Sequence, residues 1–389
     1  MTTNIIPAPL ETIALPAELS GANGLNRAPE RPYIPAEHDL DAIKCWLSRV
    51  EQRSKHTQES YKREAERILL WALMVKRKPL SSLDMTDISE YRSFLLNPQP
   101  AEVWIGKKHN KGHADWKPFT GPLSDRSAKH ADTILGNLFK FLTQQKYLLQ
   151  NPYSALPKMI EIRKNGSIDV DRSLSVSQWE FVTDFLQEKL ITTDSVDRLK
   201  WSRTNMIVQF LYVTGLRIHE LAKAKIGDIV RIERQSGAQY WLKVIGKGQK
   251  YREVPVPQKT YRMMNATYLQ LTGLSIVDAN EEDPLIPPLR PRKNQGNYFL
   301  KRLSIHKILK EFFQMAAIDL LDTDPEASKK LSRASTHWLR HTHGSHAVRK
   351  DIPLTVIRDN LGHSSISTTS QYVHADQDER HDAMDKLVG

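Results

Sequence analysis

The sequence predicts a mainly α-helical protein with a small β-sheet, divided into two domains. Three observations carry that prediction. Apolar residues recur at three- and four-residue steps in successive segments, the period of one helix face. One stretch, QYWLKVIGKGQKYREVPVP, holds two β-rich runs separated by Gly-Lys-Gly and reads as a hairpin. Finally, 389 residues leave room for two hydrophobic cores, and an aperiodic, charged, turn-rich segment lies near the middle of the chain.

Taken in order, residues 1–37 are rich in Pro, Ala and small polar residues without a usable period, and are expected to be a flexible arm. Helical patterning starts in HDLDAIKCWLSRV, where Leu40, Ile43, Trp46, Leu47 and Val50 share a face, and a second helix follows around Tyr61–Val75. A third, LSDRSAKHADTILGNLFKFLTQQKYL, puts Ile134, Leu138, Phe141 and Leu142 on one stripe. These define a helical domain over 38–157 and a linker over 158–172. The second domain, 173–389 with a polar C-terminal tail, opens at LSVSQWEFVTDFL, where Ser175 and Gln178 have capping-box spacing. No internal repeat is found.

Composition narrows the partners. Lys plus Arg number 56 against 45 Asp plus Glu, a net charge of +11 and a pI near 9.4. Such an excess favours a polyanionic partner. The single cysteine, Cys45, excludes an internal disulfide framework and a multi-cysteine zinc site. No apolar run reaches the ~20 residues of a membrane span, and the N-terminus lacks the pattern of a secretory signal. A soluble, cytoplasmic protein is expected.

Basic residues cluster twice. Lys107, Lys108 and Lys111 lie between Trp104 and Trp116, with Lys117 just after. Cations interleaved with aromatics suit a phosphate backbone, and a solvated loop would look the same. PLRPRKNQGNYFLKRLSIHKILK contains Arg290, Arg292, Lys293, Arg302, Lys307 and Lys310 and no acidic residue, a phosphate-tracking candidate whose alternative is a solvated helix face.

Five places in the second half hold polar residues that packing explains poorly. Arg217 follows the break Thr214-Gly215 between apolar neighbours, the setting of a fixed guanidinium suited to phosphate; a structural pairing with Glu220 or Asp228 explains it equally well. Lys247 stands between two glycines at the hairpin turn, where solvated lysines are common. In STHWLRHTHGSHAVRK, a helix capped by Ser335 or Thr336 places His337 and Arg340 on one face. The crowding of His337, His341, His343 and His346 raises a metal site as a rival, but no HExxH acid or cysteine pair accompanies them. Gly362 is suited to end the helix LTVIRDNL, which frees His363 to point into a cleft, and SISTTSQYV can present Tyr372. The same rhythm admits a plain DNA-reading helix–turn–helix.

In chain order these read TGLR, GKGQKYREVPV, HWLRH, LGHSS and a tyrosine nine residues after the histidine, and this combination resembles the catalytic signature of the tyrosine recombinase, or phage integrase, family. The resemblance covers roughly residues 173–376 by motif, and the block at 38–157 is similar to that family's core DNA-binding domain. It implies a two-domain DNA clamp with the catalytic set Arg217, Lys247, His337, Arg340, His363 and Tyr372. His219, where many members have a small residue, and a longer segment at 101–123 are the departures.

The implied function is site-specific DNA recombination through a 3′-phosphotyrosyl intermediate, in integration, excision or resolution. Tyr372 would be the nucleophile, Arg217 and Arg340 the clamp on the scissile phosphate, and Lys247 the general acid. No cofactor or metal is required, because bond energy is conserved in the phosphotyrosyl link. Partners implied are double-stranded DNA at specific sites, further copies of the chain in a tetramer on DNA, and accessory DNA-bending proteins, with no membrane. The alternative is a non-cleaving DNA-binding regulator of the same fold.

Overall fold

The computed structural model describes residues 7–107, 109–157, 159, 172–235, 237–246, 251–289 and 298–373. The chain divides into two compact units, Met1–Lys164 and Asn165–Gly389. Apart from Met159 and Arg172, the segment expected as linker lies outside the described residues.

The first unit contains α1 (Asp39–Ser48), α2 (Lys55–Trp71), α3 (Met85–Leu96), the single turn α4 (Ala101–Trp104) and α5 (Asp125–Gln144). Side chains satisfy the orphan N–H groups at three of these starts: Ser54 caps α2, Ser124 caps α5, and Asp84 and Asp87 form a reciprocal capping box on α3. The apolar stripe of α5, including Ile134, Leu138 and Leu142, buries against α1, α2 and α3, with Trp46, Trp71 and Tyr91 filling the same core. Among the described residues, 7–37 depart from the arm expected of them. Leu10, Ile13 and Ala36 are buried in that core, and the Leu10 N–H donates to the buried Glu66 carboxylate at 2.9 Å. The apolar residues are too sparsely spaced to show a period, yet fully burying such a side chain contributes roughly 1.5–3 kcal/mol, enough to anchor a strap whose one helical piece is the 3₁₀ turn Ala17–Leu19.

The second unit contains α6 (Val176–Thr192), α7 (Ser195–Thr214), the short α8 (Ile218–Leu221), strands β1 (Ile229–Arg234), β2 (Gly237–Ile245) and β3 (Tyr251–Val256), and then α9 (Gln258–Thr272). It continues through α10 (Arg302–Asp319), α11 (Pro325–Arg333), α12 (Thr336–Arg349), α13 (Leu354–Leu361), α14 (Ile366–Thr369) and a 3₁₀ turn over Ser370–Tyr372. The capping box of Ser175 and Gln178 is present at the start of α6. The sheet is antiparallel in the order β1-β2-β3, with Ile245 paired to Tyr251 where the expected hairpin closes. Its first strand is additional to the two runs read from the sequence; the alternation in IVRIER carried that signal. Helix α7 runs through the middle of the core, flanked by α6, α9, α10 and α12, with Met206, Ile207, Phe210 and Leu211 buried. A small satellite cluster of Ala347, Ile357, Leu361 and Tyr372 joins α12, α13 and the last turn.

Candidate active site

The site begins where α7 stops. Gly215 takes the left-handed conformation (φ 60°) as C-cap of α7, and a side chain there would strike Leu361 and His343. This break turns the chain so that Arg217 becomes the N-cap of α8. The Arg217 N–H donates to Glu220 Oε2 at 2.8 Å, and its Nη1 lies 3.2 Å from Glu220 Oε1. Glu220 is buried and also accepts from Nη1 and Nη2 of Arg252 on β3, at 3.0 and 2.8 Å. The arginine therefore has the Glu220 pairing that stood as its structural explanation, while its side chain remains 28% exposed. Burial alone pushes the Glu220 carboxyl up, but the bonds and charge of Arg252, with Arg217, hold it down at about 2.

Arg340 is the hub. It is buried on α12, donating through Nη1 to the Gly215 carbonyl at 2.5 Å and through Nη2 to the Leu361 carbonyl. Those carbonyls lie two residues before Arg217 and two before His363, so one guanidinium fixes both turns. Burial and then the nearby Arg217 charge lower its pKa to about 10, leaving it cationic at neutral pH.

Ser335 is the N-cap residue of α12, without a side-chain capping bond. His337, one residue into the helix, keeps an exposed edge; desolvation and then the charges of Arg340, Arg217, Arg172 and Arg302 push its pKa down. Gly362 ends α13 in the left-handed conformation (φ 62°), and a Cβ there would crowd the Arg252 side chain. His363 follows, its Nδ1 bonded to Thr369 Oγ1 at 3.0 Å. Burial and then Arg340 and Arg217 lower its pKa to about 4.

Tyr372 is buried on the 3₁₀ turn, 6% exposed, and its ring stacks on His363 with centroids 6.3 Å apart. Its face lies against Gly344 of α12, where a Cβ would come within 2.7 Å of ring atoms. Its hydroxyl sits 3.2 Å from His341 Nδ1. Burial raises the phenol pKa, and the charges of Arg340 and Arg217 pull the other way, which is the electrostatic signature of an oxygen held beside two cations.

Among the described residues the structure thus gathers His337, His363 and Tyr372 around Arg217 and Arg340, whose charges act on all three. Lys247 lies outside them, as do Lys108, Arg290, Arg292 and Lys293. Of the remaining candidate phosphate contacts, Arg302 is exposed at the start of α10 and close enough to act on His337 and His219. Lys307 is exposed and pairs at 3.7 Å with Glu311. In the first unit Lys107 is exposed, Lys111 bonds Glu66 at 2.7 Å, and Lys117 bonds the Glu102 carbonyl, so the latter two already have internal acceptors.

The crowded histidines divide by role. His343 Nδ1 bonds the Tyr212 carbonyl at 2.8 Å, and His346 bridges the Leu174 carbonyl and Tyr212 hydroxyl at 3.1 and 3.0 Å, so both lock α12 to neighbouring segments. A group of metal-ligand type occurs elsewhere: His109, His113 and Asp115 have ligand atoms within 4.8 Å of one another. His113 Nδ1 already accepts the Asp115 N–H at 3.1 Å, which removes one lone pair a zinc site would need.

Glu220's second partner Arg252, the phenol's partner His341, and Gly344 were not among the site residues read from the sequence. Two carried a signal. Arg252, Val254 and Val256 alternate on the inward face of β3, which puts a cation on a buried face. Gly344 costs about 1 kcal/mol inside a helix relative to Ala, so it needs a packing reason.

Comparison with known proteins follows the same lines. Residues 181–379, just over half of the chain, match the profile of the Phage integrase family. A tyrosine recombinase XerD of Proteus mirabilis is 30% identical over 248 residues, covering 64% of this chain and 67% of that protein. The XerD of Haemophilus ducreyi is 27% identical over 338 residues, covering 87% and 92%. In fold, the chain is similar to the XerH site-specific recombinase bound to its palindromic difH substrate (TM-score 0.59, 17% identity, 89% of this chain and 84% of that one). It is also similar to the Tn1549 transposon integrase in complex with transposon right end DNA (TM-score 0.55, 15% identity, 90% and 99%). The chain belongs to the phage integrase family of tyrosine recombinases.

Proposed function

We propose that Tyr372 is the nucleophile of this site-specific recombinase, attacking a scissile phosphate that Arg217 and Arg340 hold. The observation that carries the assignment is the double anchor of Arg340. Its bonds to the Gly215 and Leu361 carbonyls fix the turns bearing Arg217 and His363, while its charge acts on the Tyr372 phenol. As a member of this family the protein cleaves and rejoins DNA strands at specific sites, and the family assignment favours that reading over a non-cleaving regulator.

The chemistry follows from the residue types. A phenol forms an aryl phosphodiester that is itself a good leaving group, so the bond energy of the cut strand is retained for rejoining. Negative charge grows on the non-bridging oxygens in the transition state, and two preorganised guanidinium groups stabilise it without reorganisation. His337, at the exposed edge, is placed to donate to the same phosphate, and His363, steadied by Thr369, lines the wall beside the phenol. Lys247 is assigned as the acid that protonates the departing 5′ oxygen, on the GKGQK motif.

Arg302, Lys307, Lys107 and the basic residues of the 290–293 segment are assigned to phosphate tracking. Two sites brought together require several copies, so a tetramer on DNA, helped by accessory DNA-bending proteins, is the assembly proposed. No helix among the described residues is long and apolar enough to cross a membrane.

The test is trapping on nicked duplexes drawn from DNA flanking the gene. Wild type is expected to give a denaturation-resistant protein–DNA adduct and Tyr372→Phe none. An equal adduct from the Phe variant would remove Tyr372 from the mechanism.

A further inference from the structure

We propose that His341 is a further catalytic residue, the group that accepts the Tyr372 phenol proton as the strand is cut and returns it as the strand is resealed. This rests on Tyr372 being the nucleophile. His337, Arg340, His341 and Gly344 stand at i, i+3, i+4 and i+7 of α12 and form a single stripe on that helix. The phenol lies along it: Gly344 leaves room for the ring, and the hydroxyl then meets His341 Nδ1 at 3.2 Å.

The neighbouring groups are less suited. Arg217 and Arg340 have no lone pair to offer. No described hydrogen bond joins His363 to the phenol, its ring lying nearly parallel to that of Tyr372 with centroids 6.3 Å apart, and its Nδ1 is occupied by Thr369. No described hydrogen bond joins His337 to the phenol. His341 Nδ1 accepts when the ring carries its hydrogen on Nε2, the tautomer the step requires.

The step balances as follows. The phenol O–H bond breaks, its proton passes to His341 Nδ1, and the electron pair left on oxygen attacks phosphorus. The bond from phosphorus to the 5′ oxygen breaks, and that oxygen takes a proton from a separate acid, assigned above to Lys247. In resealing, the 5′ hydroxyl returns its proton to that acid and attacks phosphorus, and the imidazolium protonates the departing phenolate. Among the described residues, the charged and titratable groups around His341 include His337 and Arg340 on its own helix, Arg217 after α7, His363 after α13, and Tyr372 itself.

The experiment is single-turnover adduct formation by the full chain on a nicked duplex across about pH 5 to 9, comparing wild type, His341→Asn, His341→Ala and Lys247→Ala. Each is assayed with a normal 5′ oxygen and with a 5′-bridging sulfur, a leaving group that needs no proton. Both His341 variants are expected to lose about 10²–10⁴-fold at neutral pH, to lose the ascending limb of the profile, and to stay slow on the sulfur substrate. Lys247→Ala is expected to recover on sulfur. Wild-type rates in His341→Asn, a retained ascending limb, or rescue by sulfur would overturn the assignment.

A second measurement keeps the wild-type fold. With 3-fluorotyrosine throughout the chain the ascending limb is expected to stay in place, because it reports the imidazole. Movement of the limb with the more acidic phenol would overturn the proposal. Failure of these outcomes while Tyr372→Phe remains inert refutes His341 alone, whereas an adduct from Tyr372→Phe refutes the nucleophile.

Discussion

Arg252 grips both carboxylate oxygens of Glu220, at 3.0 and 2.8 Å, and its Nε reaches the Asn360 carbonyl at 3.1 Å. The same carboxylate receives the Arg217 N–H and Nη1. One buried acid therefore joins β3, the turn carrying Arg217 and the end of α13 that carries His363. Arg217 is held in place by an anion that is already neutralised by another cation, so its own charge remains available to a phosphate.

Removing that acid strands two guanidinium groups. Glu220→Ala is expected to cost about 3–5 kcal/mol in stability, the usual penalty for leaving a buried partner uncompensated. Glu220→Gln keeps the shape and loses the charge, and should lower adduct formation while DNA retention persists. The pH dependence has a definite sign. The folded carboxyl, held at about 2, lies below its ordinary 4.5, so its stabilisation is complete above 4.5 and is lost as pH falls toward 2. Chemical denaturation across that window should show the loss in wild type and its absence in Glu220→Gln.

Gly344→Ala tests the seat of the phenol. The new methyl would sit 2.7 Å from Tyr372 ring atoms, and Tyr372 rides on a single 3₁₀ turn that yields more readily than α12. The ring is expected to be displaced, with adduct formation falling at least about tenfold and thermal stability changing by about 1–3 kcal/mol or less. Rates equal to wild type would show that the turn reseats without consequence.

The fork geometry of Arg340 gives a third expectation. One planar guanidinium spans two carbonyls from different turns, which a lysine ammonium cannot do with the same geometry. Arg340→Lys should retain the charge yet lose about 10²–10³ in cleavage rate, read in single turnover on the nicked duplex.

The helical class and the hairpin followed from local signals, periodicity and turn chemistry, and the proposed catalytic set from the resemblance carried by motifs in a fixed order. Less legible were relations that only the fold creates. Glu220 could be named as a partner of Arg217, but its grip by Arg252, 32 residues on, depends on how β3 packs against the turn before α8. Helix spacing puts His341, one of four crowded histidines, on the face of His337 and Arg340 and turns His343 away toward Tyr212, but the contact of His341 with the Tyr372 hydroxyl depends on how the last turn packs against α12. In the first 37 residues, Leu10 and Ile13 are too few to make a periodic pattern, and their burial depends on a core assembled from α1, α2 and α5.

His343 yields a prediction about acid. Its Nδ1–H donates to the Tyr212 carbonyl, and its buried Nε2 has no partner among the described residues, so protonation would place an uncompensated charge in the interior. Burial holds its pKa at about 4, below the ordinary 6.5. The neutral ring's stabilisation is complete above 6.5 and declines as pH falls through 4. His343→Asn, able to keep the bond to Tyr212 without titrating, should flatten that part of the stability profile.

The N-terminal strap can be tested without touching catalysis. Leu10 is 6% exposed, and its N–H bonds Glu66, so the segment contributes both apolar burial and one buried hydrogen bond to the first unit. Leu10→Ala is expected to cost about 2 kcal/mol, the low end for a buried leucine at the margin of a core. In an equilibrium that opens the first unit, this corresponds to a roughly 30-fold larger open population. Amide exchange in α2 and α5 should accelerate by about that factor, while α7 and α12 of the second unit keep wild-type protection. A flexible arm would leave every amide unchanged, so equal exchange in both proteins would refute the anchoring of this segment.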